Sequence, residues 1–170
     1  MILKKNLVFL GMMGSGKTSI GYLVSKALNL AFEDVDNLIE EESGISISEI
    51  FKTKGEDYFR SLEEKITLKT LKGVNKVISL GGGSFINNKI RKEILFNHFS
   101  FWLNWDESVL LKRIKNSKKR PLVFQSTDQD IKQLIKKRIK IYSKAQFKIN
   151  CNKLTKAVIV KKIIKIYELN

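Results

Sequence analysis

An apolar run, Leu7-Val8-Phe9-Leu10, leads directly into Gly11-Met12-Met13-Gly14-Ser15-Gly16-Lys17-Thr18. That octet opens a segment with apolar residues at helical spacing: Ile20, Leu23, Val24, Ala27 and Leu28. Strand, glycine loop and helix in this order are the context that gives the Walker A pattern its meaning. A polyphosphate needs several backbone N–H groups aimed at it, and side chains on the loop would block the approach, so glycines are required. The helix N-terminus adds partial positive charge. Lys17 is placed to reach the outer phosphates and the Thr18 hydroxyl to ligate Mg²⁺. Gly14, Ser15, Gly16, Lys17, Thr18 and Ser19 are therefore the candidate nucleotide-binding residues. The octet implies a binder of nucleoside triphosphates. A chance glycine-rich turn is the alternative, and the flanking strand and helix weigh against it.

The 170 residues fit one domain spanning 1–170, and 43% hydrophobic content is ordinary for a chain with a substantial core. No apolar stretch approaches the roughly 20 residues of a bilayer span. The start, Met1-Ile2-Leu3-Lys4-Lys5, runs into the first strand and leaves no room for a signal peptide. Cys151 stands alone, which excludes an internal disulfide and fits a reducing, cytoplasmic setting. Its position in an alternating strand favours inert core over a reactive thiol. The net charge of +15 raises nucleic-acid binding as an alternative. The lysines, however, are scattered along helix faces, as in Lys132, Lys136, Lys137 and Lys140, with no RNA-binding or zinc-finger pattern among them. The single histidine, His98, precedes a strand, has no metal-ligand partners in the sequence pattern, and reads as structural.

Strand-like runs alternate with amphipathic segments. The strands are expected at 7–10, 30–33, 76–80, 99–103 and 147–151. Helices are expected at 17–29, 36–42, 48–54, 57–72, 88–96, 106–115, 128–144 and about 156–169. Ser46 with Glu49 forms a capping-box pattern, and Thr127 precedes Asp128 as a helix cap. This alternation predicts a parallel sheet covered by helices on both faces, with no linker and no internal repeat. Two glycine clusters, Gly11/Gly14/Gly16 and Gly81-Gly82-Gly83, each follow a strand and so fall at the carboxyl edge of the sheet, where α/β proteins bind ligands. One serves the triphosphate and the other is expected to serve the acceptor.

Strand 76–80 ends in glycines and carries no acid, whereas P-loop proteins commonly end a later strand with a Mg²⁺-holding aspartate. The acids follow the second strand instead, as Asp34-Val35-Asp36. Residues two apart on an extended segment share a face, so both carboxylates can enter one cleft, one for the metal shell and one for a substrate hydroxyl. The competing reading makes Asp36 a helix cap. Arg60, in Gly55-Glu56-Asp57-Tyr58-Phe59-Arg60-Ser61-Leu62-Glu63, lies near a helix start, against the helix dipole, and suits a planar carboxylate or phosphate ligand. An ion pair with Glu63 or Glu64 is its alternative role. Lys118-Lys119-Arg120-Pro121-Leu122, between two helices, fits a basic lid that closes over phosphates, or a solvated basic turn.

Taken together, these residues closely resemble shikimate kinase, a small P-loop kinase family related to nucleoside monophosphate kinases. The resemblance covers nearly the whole chain: Walker A, Asp-x-Asp, Gly…Phe-Arg…Glu, Gly-Gly-Gly, Arg-Pro-Leu, then Arg…Tyr…Ala. It implies a three-layer α/β fold with a five-stranded parallel sheet ordered 2-3-1-4-5, an acceptor-binding module near 34–62 and a lid near 114–126. It implies ATP and Mg²⁺ as cofactors and shikimate as acceptor; the scattered lysines argue against a nucleic-acid partner, the lack of a long apolar stretch against a membrane, and the lack of a heptad stripe for a monomer. By the same resemblance, Asp34, Thr18 and Ser79 belong to the Mg²⁺ shell. Asp36 contacts the shikimate hydroxyls and accepts the reacting proton, with Lys17 and Arg120 as the other catalytic residues. Arg60 and Arg138 grip the shikimate carboxylate, and Gly81, Gly82 and Gly83 line that pocket. Arg120 reaches the phosphates, and Arg113 and Asn152 lie beside the adenine. One departure stands out: the family often has Arg-x-Pro-Leu-Tyr where this chain has Arg138-Ile139-Lys140-Ile141-Tyr142.

Overall fold

The computed structural model describes residues 5–116 and 126–170. Its sheet consists of β1 (Leu7–Leu10), β2 (Ala31–Asp34), β3 (Lys76–Ser79), β4 (Phe99–Asn104) and β5 (Phe147–Asn150). All pairings are parallel and the order is β2-β3-β1-β4-β5. The helices are α1 (Lys17–Leu28), α2 (Val35–Ser43), α3 (Ile47–Leu71), α4 (Asn88–Asn97), α5 (Glu107–Lys115), α6 (Asp128–Tyr142) and α7 (Lys156–Glu168), with a 3₁₀ turn at Ser84–Ile86. The fold class and strand order expected from the sequence are those observed.

Alternation along the strands feeds two cores. From β1, Val8 and Leu10 enter one, together with Ile78, Trp102, Ile66, Ile90, Ile114 and Ile135. Leu7 and Phe9 enter the other, with Val77, Phe101, Ile20, Val24, Ile159 and Ile163. Helices α2 to α6 thus pack into the core on one face of the sheet, and α1 and α7 into that on the other. Each such side chain contributes about 1.5–3 kcal/mol through burial. On the α1/α7 side, Phe101 stacks between Phe9 and Phe147, at centroid distances of 5.6 and 5.0 Å. Helix α1 lies so close to the sheet that a Cβ at Gly21 would stand 2.9 Å from the Phe32 ring.

Element boundaries depart from expectation in physically simple ways. Strand β2 runs one residue later, so Asp34 is its last residue and also the N-cap of α2, accepting from the amides of Asp36 and Asn37. Asp36 therefore sits in the first turn of a helix; it is not the cap, and strand alternation does not relate it to Asp34. The two helices expected at 48–54 and 57–72 form one element, α3, interrupted at Gly55 (φ 81°, ψ 176°). Ser46 accepts from the Glu49 amide, which is one half of the predicted box, while Thr127 and Asp130 form a complete one. The 3₁₀ turn after the triple glycine was not expected from periodicity. Among the described residues no helix is long and apolar enough to cross a membrane.

Two polar side chains in the core bear on pH. Cys151 is fully buried, and burial pushes its thiol up to about 11. His98 is buried with neither ring nitrogen hydrogen-bonded among the described residues, and its closest acid, Glu93, is 3.7 Å away. Burial lowers its pKa, with Lys5 adding to the effect against Glu93. The unfolded chain therefore takes up this proton more readily, so stability present above about pH 6.5 is lost as pH falls toward the depressed folded value. Thermal unfolding of His98→Gln should lose less midpoint between pH 7.5 and 5.5 than the wild-type chain does; equal losses would place the acid sensitivity elsewhere.

Candidate active site

The first glycine loop is built by its backbone. Gly11, Gly14 and Gly16 have positive φ (140°, 75° and 89°), a conformation other residues adopt at a cost. The first bond of α1 runs from the Ile20 amide to the Gly16 carbonyl. The amides of residues 16–19 precede it, as the donors every helix start leaves over. Lys17 is 6% exposed, and its ammonium donates to the carbonyls of Gly11 and Met12 at 3.0 Å each. Ser15 Oγ is buried without a hydrogen-bond partner among the described residues. An orphaned hydroxyl inside a cradle of amides is the signature of a site for an anionic ligand.

The end of β2 meets this loop. Thr18 donates its hydroxyl to Asp34 Oδ2 at 2.7 Å, while Asp34 Oδ1 caps α2. Ser79, buried, stands opposite Asp34 in the β2–β3 register. Asp36 approaches the second glycine loop: a Cβ at Gly81 would lie 2.7 Å from Asp36 Oδ1 and 2.8 Å from Glu63 Oε1. Gly81 is glycine because two carboxylates occupy the space a side chain would need.

Arg60 is held by two acids. Its Nη1 lies 2.8 Å from Glu63 Oε2, and its Nη2 lies 3.2 Å from Glu56 Oε1. Glu63, 3% exposed, also accepts from Ser84 Oγ at 2.7 Å. Partial burial would lower the Arg60 pKa, but Glu63 and then Glu56 outweigh it and hold the guanidinium above its usual value. The alternative partner, Glu64, is engaged elsewhere by Lys89 and Asn87. A Cβ at Gly83 would fall 2.5 Å from Arg60 Nη1. Arg138 Nη1 donates to the Gly82 carbonyl at 3.3 Å, and the Tyr142 hydroxyl donates to the same oxygen. The absent proline at position 140 does not displace Arg138 from the glycine loop, because α6 packs through Ile131, Ile135 and Tyr142.

These groups border two adjoining cavities. The first, of about 590 Å³, is lined by Asp34, Asp36, Phe51, Arg60, Glu63 and Arg138, among others including Gly82 and Gly83. The second, of about 550 Å³, is lined by Gly14, Gly16, Lys17, Ser19 and Leu80, and by Thr18 and Asp36, which border both. Arg113 and Asn152 line neither. Arg113 lies beside the loop, its guanidinium 3.9 Å from the Trp105 ring centroid and within hydrogen-bond reach (3.3 Å) of the Gly14 carbonyl. Asn152 exchanges two 2.9 Å hydrogen bonds with Asp106. Arg120 and most of the expected lid lie outside the described residues. Trp105 has no role in the sequence pattern, Tyr142 enters only through the family motif, and Glu63 only as an ion-pair partner of Arg60. The spacing of Glu63 three residues after Arg60 was visible, but its burial was not.

The family model described as shikimate kinase matches residues 13–168. The chain belongs to the shikimate kinase family. Shikimate kinase of Thermodesulfovibrio yellowstonii is 40% identical over 165 residues, covering 96% of this chain and 95% of its own length. Shikimate kinase from Acinetobacter baumannii, solved in complex with shikimate, superposes with a TM-score of 0.92 at 28% identity, covering 98% of this chain and 94% of that one. The enzyme of Aquifex aeolicus gives 0.86 at 37%, covering 96% of each chain. Membership of the shikimate kinase family makes the chain a phosphotransferase with a hydroxyl acceptor.

Gly81→Ala tests the packing of the first cavity. The added methyl must displace Asp36 or Glu63, and a displacement of about 1 Å at such a site costs on the order of 100-fold in turnover. Phosphoryl transfer by this variant should fall by about that factor while its circular dichroism stays that of the wild-type chain; near-normal turnover would show that the two carboxylates move aside freely.

Proposed function

We propose that the chain transfers the γ-phosphoryl group of ATP to the 3-hydroxyl of shikimate, giving shikimate 3-phosphate and ADP, in the biosynthesis of chorismate and aromatic amino acids. The observation that carries this reading is the sharing of Thr18 and Asp36 by both cavities. A phosphate-binding loop and a ring-sized pocket meet there, as transfer between two bound molecules requires.

Phosphoryl transfer asks the protein mainly for positioning and charge stabilisation. The amides of Gly14, Gly16 and the start of α1, with the buried Ser15 hydroxyl, hold the phosphates, with Ser19 beside them. Lys17 moves from its loop carbonyls to the outer phosphates and compensates charge there, together with Arg120 from the lid. Asp36 orients the acceptor hydroxyl and takes its proton late. Three Arg60 N–H groups are engaged by Glu56 and Glu63, which leaves two for the shikimate carboxylate. Arg138 commits one to Gly82 and keeps the rest. Gly81, Gly82 and Gly83 let the ring approach the backbone. Leaving either arginine unpaired in a closed pocket would be costly, and this selects a small carboxylated polyol.

The oxygen pair Thr18 Oγ1 and Asp34 Oδ2 suits Mg²⁺, which takes few protein ligands and relies on waters and substrate phosphates. Thr18 and Asp34, with Ser79 nearby, would hold it, and when bound it neutralises charge on the outer phosphates. Arg113 and Asn152 mark the adenine side. The acceptor module is 34–62, the unit acts as one kinase domain and a monomer, and the single buried Cys151 supports a reducing, cytoplasmic setting.

The deciding experiment is coupled ADP release with shikimate, gluconate or a nucleoside monophosphate as sole acceptor. Shikimate should be the strongly preferred acceptor; equal rates with all three, or with none present, would overturn the proposal. Asp36→Asn and Lys17→Met should each lower kcat by about 100-fold or more in folded protein. Arg60→Ala should chiefly raise the KM for shikimate, and an unchanged acceptor KM would remove its carboxylate contact.

A further inference from the structure

We infer that Trp105 is a positioning residue for the nucleotide phosphates, acting through the backbone of the first glycine loop. The inference rests on the nucleotide half of the proposed function and is independent of the acceptor.

Trp105 follows β4 and lies against both hydrophobic cores, so its ring is fixed from two sides. Its indole Nε1 donates to the Ser15 carbonyl at 2.9 Å, across 90 residues of sequence. In a trans peptide the C=O and the following N–H point in opposite directions. Holding the Ser15 carbonyl against the indole therefore turns the Gly16 amide the other way, into the cradle. Gly16, with no side chain and a φ of 89°, cannot hold that peptide plane by itself.

The neighbouring peptide is held by a second device that also depends on the indole. Arg113, centred 3.9 Å from the Trp105 ring, donates to the Gly14 carbonyl, and its Cβ lies 3.3 Å from the position a Gly14 Cβ would occupy. On the other side of that peptide, the Ser15 amide donates to the Met12 carbonyl at 3.1 Å. Asp106, next to Trp105, is tied to Asn152 by two hydrogen bonds. Three loops, those after β1, β4 and β5, are thus braced around one indole. The bond to Ser15 leaves the Gly16 amide oriented, and the bond to Gly14 steadies the turn before it, before any nucleotide arrives, so less ordering remains at binding.

The test separates the two contacts. Trp105→Phe keeps a ring for Arg113 and removes the N–H; Trp105→Ala removes both. ADP binding is measured by calorimetry, and steady-state constants by coupled ADP release. Affinity for ADP and KM for ATP should worsen by about fivefold in Trp105→Phe, the worth of one hydrogen bond, and by more than tenfold in Trp105→Ala. The KM for the acceptor should stay put in both. Parallel worsening of acceptor and nucleotide constants, or unchanged nucleotide affinity in Trp105→Ala, would overturn the inference. A measurement on the wild-type chain guards against a variant that fails to fold. With ¹⁵N-labelled tryptophan, the Trp105 indole N–H should exchange slowly and shift on ADP addition, whereas a fast-exchanging, ADP-insensitive indole N–H contradicts it. ADP binding is readable even if shikimate proves not to be the acceptor, so the two readings fail separately.

Discussion

Parallel pairing of β1 with β3 is the constraint from which the site follows. The register Leu7 to Val77, Val8 to Ile78 and Phe9 to Ser79 ends both strands at the same level. The Leu80 amide extends the pairing by donating to the Phe9 carbonyl. One strand then opens into the phosphate loop and its neighbour into the triple glycine, so donor and acceptor pockets are side by side before any side chain is considered. Moving the register by two residues would separate the loops by about 6–7 Å, too far for a phosphoryl group to pass between bound partners.

On that frame the charges are arranged in opposition. Glu63 is an anion taken almost fully out of water, and it is sustained by the Arg60 guanidinium on one oxygen and the Ser84 hydroxyl on the other. Losing one partner of such a pair commonly costs about 3–5 kcal/mol, because an uncompensated charge stays behind. The pair therefore fixes where the cationic wall of the acceptor pocket stands. Asp36 approaches Gly81 and Arg60 approaches Gly83, so the pocket has an acidic group and a basic group along one glycine loop. A ligand with hydroxyls at one end and a carboxylate at the other matches that polarity.

Much of this was legible in the residue order. The apolar run Leu7–Leu10 and the glycine octet were enough to identify a strand leading into a phosphate loop, since both signals are local. The pairing order needed the family resemblance, because nothing local says that β3 lies between β1 and β2. Asp34 and Asp36 do border one cavity, but not by strand alternation: the strand ends at Asp34, and helix α2 carries Asp36 to the cavity. Arg60 appeared as a choice between ligand and ion pair, and the structure shows the ion pair as the means of holding it beside Gly83. The burial of Glu63, and the bonds of Tyr142 to Gly82 and of Trp105 to Ser15, were not legible, because burial and contacts across long stretches of sequence leave no periodic trace. Arg113 is beside the phosphate loop and against Trp105, Asn152 is tied to Asp106, and both lie outside the two cavities.

The buried thiol has a practical consequence. Burial pushes the Cys151 thiol up to about 11, so it is protonated at neutral pH, and it has no exposed surface for a reagent to reach. The native chain is thus chemically quiet toward maleimides and iodoacetamides. A single cysteine introduced on an exposed helix position, such as Lys52 or Lys161, would become the dominant attachment point for a dye or spin label. Distance changes between the helices around the cleft and the sheet can then be followed without first removing a native residue.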